Sequence, residues 1–245
     1  MASTSETGHA VNISNFKLLI DKCTAFGAPY NPSNPDLIIA SMTTLWTTAD
    51  GAHQTLTAAI QLAKNPINAR QILFEPADKL VTRTLNYFES TKASDQIKKD
   101  AKGLADRFRG FGVGLPPPPP AALAVPPAPP ADVSTSHLSF VQRGDTFKQL
   151  VDLYGSEPLY APNEVDLQVA TLTTLSTAMK TSNDGIGTIL SPVETARITR
   201  DDALYDKDTG MVDIAAKCKD YVQGLFGATS SEAQMVRGIA FRRNP

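Results

Sequence analysis

Residues that carry most catalytic and metal chemistry are scarce in this sequence. Its 245 residues include three histidines and two cysteines. Cys23 and Cys218 lie one in each half, without a CxxC or Cys/His grouping, which argues against a disulfide framework or a zinc site. We expect two buried, reduced thiols. An ExxH spacing occurs once, at Glu6 and His9, whereas a di-metal bundle carries this motif on two of its helices. Because no acid, base and nucleophile converge in the pattern, we expect no catalytic residue, no metal, no cofactor and no enzymatic activity.

An excess of charge of one sign and long apolar runs are also absent. Lys and Arg number 23 against 25 Asp and Glu, so the formal net charge is -2. No general basic field exists to attract phosphate backbones, which argues against nucleic acid as a partner. No window reaches the roughly 18 apolar residues of a membrane span, and the opening "MASTSETGHA" lacks a signal-peptide pattern. We expect a cytoplasmic protein without membrane insertion.

Ligand-binding loops with a recognised pattern are incomplete. "DGIGT", residues 184–188, lacks the preceding strand of a dinucleotide fold. In "RDDALYDKDTG", residues 200–210, Asp206 and Asp208 have the first spacings of a calcium loop. Gly210 then falls one place early, and Lys217 occupies the position of the bidentate Glu. The pattern favours a solvated turn between two helices.

A tandem repeat is the clearest feature that the sequence does contain. "FKLLID" (16–21) recurs as "FKQLVD" (147–152), and "YNPSNPDLIIASMTTL" (30–45) matches "YAPNEVDLQVATLTTL" (160–175) at a constant offset. The order of the matched segments is preserved, down to Arg70 and Arg197. The sequence therefore predicts a duplication of one unit.

Each copy has the apolar spacing of helices. From Ile38, apolar residues recur at steps of three and four as far as Ala63, and a similar stripe follows Val165 in the second copy. The pairs Asn65-Pro66 and Ser191-Pro192 predict helix starts. Pro76 predicts a kink or a break, "DKDTG" predicts another interruption, and Ser94 and Ser231 are candidate N-caps. With about four helices per copy, we predict an all-α fold of two up-and-down bundles.

A proline-rich strap separates the copies. We assign residues 1–12 to a polar tail, 13–114 to the first bundle, 115–132 to the strap and 133–245 to the second bundle. The strap favours extended polyproline II, so it is predicted to space the bundles. A PxxP-type binding segment for another protein is the alternative. Its nine prolines are Pro116, Pro117, Pro118, Pro119, Pro120, Pro126, Pro127, Pro129 and Pro130.

The repeat places an arginine early in the third helix of each copy. Arg197 precedes Asp201 by one helical turn, so we predict a structural ion pair between these two residues. Binding of a carboxylate or a phosphate by Arg70 and Arg197 is the alternative.

The third and following helices of each copy resemble a known pattern. "ARITRDDALYDKDTGMVDIAAKCKDYVQGLFGATS" (196–230) and "NARQILFEPADKLVTRTLNYFES" (68–90) are similar to uncharacterised bacterial proteins built from two tandem helical-bundle repeats. The resemblance implies no activity, ligand or site residue, and the strap departs from it.

Three functions fit this organisation. The first is a structural or assembly protein whose two related bundles mediate self-association with other copies of the chain, head to tail or in a lattice. The second is an adaptor that binds another protein through the strap or a bundle groove. The third is a small-molecule carrier with a cavity between helices.

Overall fold

The structure, a computed structural model, describes residues 4–110 and 139–243, and every regular element in these residues is helical. The prediction of an all-α fold is therefore confirmed. Short 3-10 turns at Pro35–Leu37 and Val165–Leu167 precede two of the helices. The α-helices are α1 (Thr4–Ala25), α2 (Ile39–Phe74), α3 (Ala77–Glu89), α4 (Asp95–Arg109), α5 (Phe140–Ser156), α6 (Val169–Asp184), α7 (Ile186–Tyr205), α8 (Met211–Phe226) and α9 (Ser231–Arg237).

The chain divides into two compact units that do not follow the order of the repeats. Unit 1 comprises residues 1–64 and 188–245, and unit 2 comprises residues 65–187. Unit 1 thus contains the first part of the first repeat and the last part of the second. Unit 2 contains the remaining parts. Each unit is built from complementary halves of both repeats, an exchange that is possible because the repeats present similar apolar faces.

This division differs from the predicted bundles 13–114 and 133–245. Helices α4 and α5, which precede and follow the strap in the chain, both belong to unit 2 and pack against each other. The strap therefore joins two helices of the same unit, so the prediction that it spaces two bundles is not confirmed. The strap itself, residues 115–132 with its nine prolines, lies outside the described residues.

Each unit encloses its own apolar core. Phe16, Met42 and Val222 are fully buried in unit 1. Phe88 and Phe147 are fully buried in unit 2. Burial of a side chain of this size contributes about 2–3 kcal/mol. The predicted stripe along α2 is confirmed in unit 1, where Met42, Ala49, Leu56 and Ala63 are buried.

Matching contacts in the two cores support the duplication. The Tyr30 hydroxyl donates to the Leu37 carbonyl at 2.8 Å in unit 1, and the Tyr160 hydroxyl donates to the Leu167 carbonyl at 2.8 Å in unit 2. In both units the ring of this tyrosine meets a second tyrosine edge-on, Tyr221 or Tyr87 respectively. In each case the second tyrosine comes from the other repeat. The two units are therefore built alike inside, with the halves of the repeats exchanged.

The helix boundaries correct the prediction at two prolines. Pro66 and Pro192 lie inside α2 and α7, not at the start of a helix. An internal proline has a helical φ but removes one backbone hydrogen bond and crowds the carbonyl four residues earlier, at a cost of about 3 kcal/mol, so sequence rules favour a helix start there. In the second repeat the chain breaks earlier, at Gly185, between α6 and α7. The breaks at Pro76 and at residues 206–210 were predicted.

The predicted polar tail overlaps the first helix, because α1 begins at Thr4. His9 and Asn12, both within the range predicted as tail, are buried in unit 1. The His9 Nδ1 atom lies 2.7 Å from the Tyr205 hydroxyl, and Asn12 exchanges two hydrogen bonds with the backbone of Arg242 at 2.8 and 2.9 Å. Polar residues can occupy this buried position because their hydrogen bonds are satisfied there.

Candidate functional site

The repeat produces a cleft between the first two helices of each copy. In unit 2 the cleft between α5 and α6 has a volume of about 500 Å³. In unit 1 the cleft between α1 and α2 has a volume of about 470 Å³. Their linings correspond position by position: Lys148 and Asp152 match Lys17 and Asp21, and Asn183 matches His53. We call them the α5–α6 cleft and the α1–α2 cleft.

An ion pair along the first helix is retained in both clefts. Lys148 Nζ lies 2.6 Å from Asp152 Oδ2, and Lys17 pairs with Asp21 in the same way. Both pairs join residues one helical turn apart, a spacing that stabilises an exposed helix by about 0.3–0.5 kcal/mol. The motif repeat predicted matching residues here, but a cleft was not predicted, because its second wall comes from a separate helix.

Each cleft carries one more carboxylate than ammonium group. The α1–α2 cleft has Lys17 against Asp21 and Asp50. The charged residues of the α5–α6 cleft are Lys148, Lys180, Asp145, Asp152 and Asp184. Lys180 Nζ lies 2.7 Å from Asp184, whose hydrogen bond raises the pKa of Lys180, with a smaller contribution from Asp145. The balance of charge therefore favours a cationic group in either cleft.

A buried polar atom without a partner lies at matching positions in the two clefts. Asn183 donates from Nδ2 to the Phe140 carbonyl at 2.8 Å, which leaves its Oδ1 atom as the acceptor. Within residues 4–110 and 139–243, no hydrogen-bond partner reaches either Asn183 Oδ1 or His53 Nδ1, and both atoms are buried. An unsatisfied buried polar atom costs about 1–3 kcal/mol.

The clefts differ most in how much side chain occupies them. Trp46 lines the α1–α2 cleft, and the Lys17 ammonium lies 5.8 Å from the centre of its ring. Ser176 occupies the matching position in the α5–α6 cleft, and Gly144 occupies the position of Ile13. A Cβ atom on Gly144 would lie 3.0 Å from Asn183 Nδ2. The small residues thus let Asn183 approach α5 and leave room beside it.

The predicted ion pair between Arg197 and Asp201 is replaced by two other pairs. Arg197 Nη1 lies 2.9 Å from Glu194 Oε1, toward the start of α7. Asp201 accepts from the side chain of its neighbour Arg200 at 2.7 and 2.9 Å. Arg200 is buried, and a buried charge needs a paired carboxylate more than the half-exposed Arg197 does.

The matching arginine of the first repeat has another partner. The guanidinium of Arg70 lies 4.4 Å from the centre of the Phe140 ring in unit 2. This is the geometry of a cation–π contact, which stabilises by about 0.5–2 kcal/mol. The two matched arginines thus have different surroundings, and they do not form a shared type of anion site.

The acidic turn after α7 forms a structural connection. Asp208 adopts a positive φ of 69°, and its backbone N–H donates to Asp213 Oδ2 at 3.0 Å. That hydrogen bond, together with Arg243 and Lys217, lowers the pKa of Asp213. Across the described ranges, no three His, Cys, Asp or Glu residues are grouped to hold a metal ion.

Comparison with known proteins does not identify a family for this chain, so the functional proposal rests on the geometry described above. The chain matches no protein-family model, and neither a curated protein nor a solved structure shows significant similarity to it. Among the helices that the structure describes, none combines the length and apolar character required to cross a membrane.

Proposed function

We propose that this protein binds small amine-bearing molecules in the α5–α6 cleft of unit 2. The observation that carries the proposal is a cleft lined by more carboxylate than ammonium groups, with Ser176 at the position that Trp46 occupies in the matching cleft of unit 1. A volume of about 500 Å³ falls within the range of small-molecule sites. The proposal assigns binding and no chemical step, and it corresponds to a carrier or a sensor.

An amine fits the chemistry of the α5–α6 cleft. A protonated amine offers up to three hydrogen-bond donors. Asp145 and Asp152 line the cleft and supply carboxylate acceptors. The Ser176 position leaves space for the body of the ligand. An anion would meet the excess negative charge instead, so we expect selection against carboxylates.

Isothermal titration calorimetry with two probes of equal chain length tests this proposal. We expect 1,4-diaminobutane to bind the purified full chain and succinate not to bind. Ser176→Trp introduces the side chain that the first repeat has at this position, so it should weaken diamine binding at least tenfold, equivalent to about 1.4 kcal/mol. Trp46→Ser in the other cleft is the matched control and should not weaken it.

A charge variant separates electrostatic binding from simple filling of space. Asp145→Asn keeps the size of the side chain and removes one carboxylate, so diamine affinity should fall by about two- to fivefold, as expected for a partly exposed charge pair. Equal binding of the diamine and succinate, or unchanged binding in Ser176→Trp, would contradict the proposal.

Self-association with other copies of the chain is a second candidate. Four large apolar residues among those described are more than 60% exposed, which favours a surface covered by a partner. Exposed fractions are 77% for Leu62 and 61% for Ile198 in unit 1, and 67% for Ile72 and 70% for Val165 in unit 2. Leu62 and Ile72 lie in the first repeat and Val165 and Ile198 lie in the second, so each repeat contributes two of these side chains.

Light scattering coupled to size-exclusion chromatography tests the second candidate. We expect the apparent mass of the full chain to rise with concentration, and Leu62→Ser and Val165→Ser to reduce the rise. A monomer at all concentrations would exclude self-association and leave diamine binding unaffected. Deletion of residues 116–130 tests the adaptor alternative, since self-association of the purified protein should survive it.

A further inference from the structure

The two cysteines of the chain meet in the core of unit 1. Cys23 on α1 and Cys218 on α8 lie 195 positions apart in the sequence, yet their Sγ atoms are 3.5 Å apart. Both side chains are almost completely buried. The two thiols were expected to be buried, but their contact was not predicted, because it depends on the exchange of halves between the repeats.

The surroundings distinguish the two thiols. The hydrogen bond between them lowers the pKa of Cys218 and raises the pKa of Cys23. The Tyr30 hydroxyl lies 3.4 Å from Cys218 Sγ, so Cys218 has polar neighbours on two sides. Cys218 is therefore the thiol that ionises first, and the thiolate is the reactive form of cysteine.

Unit 2 has a different pair at the matching positions. There the Tyr154 hydroxyl lies 3.4 Å from Thr84 Oγ1, with Tyr154 in the place of Cys23 and Thr84 in the place of Cys218. The fold therefore accepts a pair without sulfur at this contact.

We propose that Cys23 and Cys218 form a reversible intrachain disulfide that cross-links α1 to α8 in response to a peroxide. The Cys218 thiolate attacks one peroxide oxygen, the O–O bond breaks, and the sulfur becomes a sulfenic acid. Cys23 then attacks that sulfur as its proton leaves, an S–S bond forms and water departs. Overall two thiols and one hydrogen peroxide give one disulfide and two waters.

The geometry requires a short movement. A disulfide has an S–S distance of about 2.05 Å, so the sulfur atoms must approach each other by about 1.5 Å. Side-chain rotation together with a small shift of α1 against α8 supplies this, since these helices are direct neighbours. The cross-link would join the first helix of one repeat to a late helix of the other and so lock unit 1.

Treatment of the folded full chain with hydrogen peroxide tests the proposal. We expect the thiols titrated in denaturant to fall from two per chain to none, with a loss of about 2 Da, the mass of two hydrogens. Digestion with trypsin without reductant should give the peptide 23–64 linked to the dipeptide 218–219. Dithiothreitol should restore both thiols, and the oxidised chain should melt at a higher temperature than the reduced chain.

Single variants provide the controls. Cys23→Ser and Cys218→Ser should each remain free of the cross-linked peptide, and circular dichroism checks that they fold. Two thiols that stay free after peroxide treatment would overturn the proposal. So would a disulfide between two chains, or sulfonic acid at Cys218 in place of the cross-link.

Discussion

Gly210 shows how a single absent side chain fixes the turn between α7 and α8. Its N–H donates to the Asp206 carbonyl at 2.8 Å, so the two backbone segments lie close together. A Cβ atom at this position would lie 2.5 Å from the Asp206 nitrogen and 2.6 Å from its oxygen. Backbone atoms cannot move aside as a flexible side chain can. Glycine is therefore required here for space, since its φ of -69° is ordinary.

Gly210→Ala should destabilise the protein by about 1–3 kcal/mol, the usual cost of overpacking. A lower urea midpoint would show this. Gly224→Ala within α8 is the matched control, because a Cβ there meets nothing within 4 Å. The control should be neutral or should gain up to about 1 kcal/mol from helix propensity. Equal stability of the two variants would contradict this account of the turn.

Buried tyrosines link the stability of unit 2 to alkaline pH. Tyr154 is stacked on Tyr160 with ring centres 4.2 Å apart. Burial raises the pKa of Tyr154 to about 12, and burial also raises the pKa of Tyr160. An unfolded tyrosine ionises near pH 10. The contribution of Tyr154 to stability is therefore fully present below pH 10 and is lost as the pH rises toward 12. The reason is that the tyrosine of the unfolded chain loses its proton at a lower pH than the tyrosine of the folded chain.

Urea unfolding between pH 9 and 12 should show a loss of about 2–3 kcal/mol from Tyr154 alone. Tyr154→Phe should flatten this loss, whereas Tyr87→Phe, which leaves Tyr154 in place, should retain it. Absorbance of tyrosinate at 295 nm gives the ionisation directly. An equally steep loss in Tyr154→Phe would assign the alkaline transition to other groups.

At the scale of the helix, the N-cap of α9 is Ser230, one residue before the predicted N-cap Ser231. The Ser230 Oγ atom accepts from the Ala233 N–H at 3.1 Å, whereas the Ser231 hydroxyl donates to Glu232. Ser94 caps α4 as predicted, and accepts from the Ile97 N–H at 3.4 Å. Two adjacent serines satisfy the sequence rule equally, so the sequence alone could not choose between them.

Ser230→Ala should lower the stability by about 1 kcal/mol, since one backbone N–H at the start of α9 loses its acceptor. In a chain of this size that corresponds to a fall of about 2–4 °C in melting temperature. Ser231→Ala is the neighbouring control and should change it little. A larger loss of stability in Ser231→Ala than in Ser230→Ala would show that Ser231 is the N-cap.

The sequence predicted helices correctly where apolar periodicity determines them. It predicted helix boundaries less well, because packing determines where a helix ends. The stripe from Met42 to Ala63 correctly predicted a helix, because steps of three and four have a single interpretation. The pair Asn65-Pro66 predicts a helix start, yet α2 continues through it to Phe74. The clefts were not predicted either. Lys17 and Trp46 lie on different helices, and the sequence pattern does not indicate which helices pack together.

At the scale of the molecule, the exchange of halves between the repeats could not be predicted from sequence patterns. Two similar copies can each fold on themselves or share their halves, and both arrangements bury the same apolar stripes. The sequence predicted the repeat, but it could not tell which copy of a helix completes which core. Contacts such as Cys23 with Cys218 in unit 1 carry that information.

Cutting the strap tests the exchange directly. A recognition site for a sequence-specific protease, inserted between Ala121 and Ala122, divides the chain between the repeats. Since each unit takes helices from both fragments, the fragments should elute together from a sizing column and separate only in denaturant. Uncut protein with the same insertion is the control. Two separate peaks under native conditions would show that each repeat folds alone.

The composition of the units also bears on how the gene can change. A premature stop codon in the strap would encode every helix of the first repeat and yet no complete core. Loss of one repeat would therefore leave both units incomplete, so neither repeat is dispensable. Natural selection therefore acts on the two repeats together, because a mutation in either repeat affects a unit that also contains part of the other.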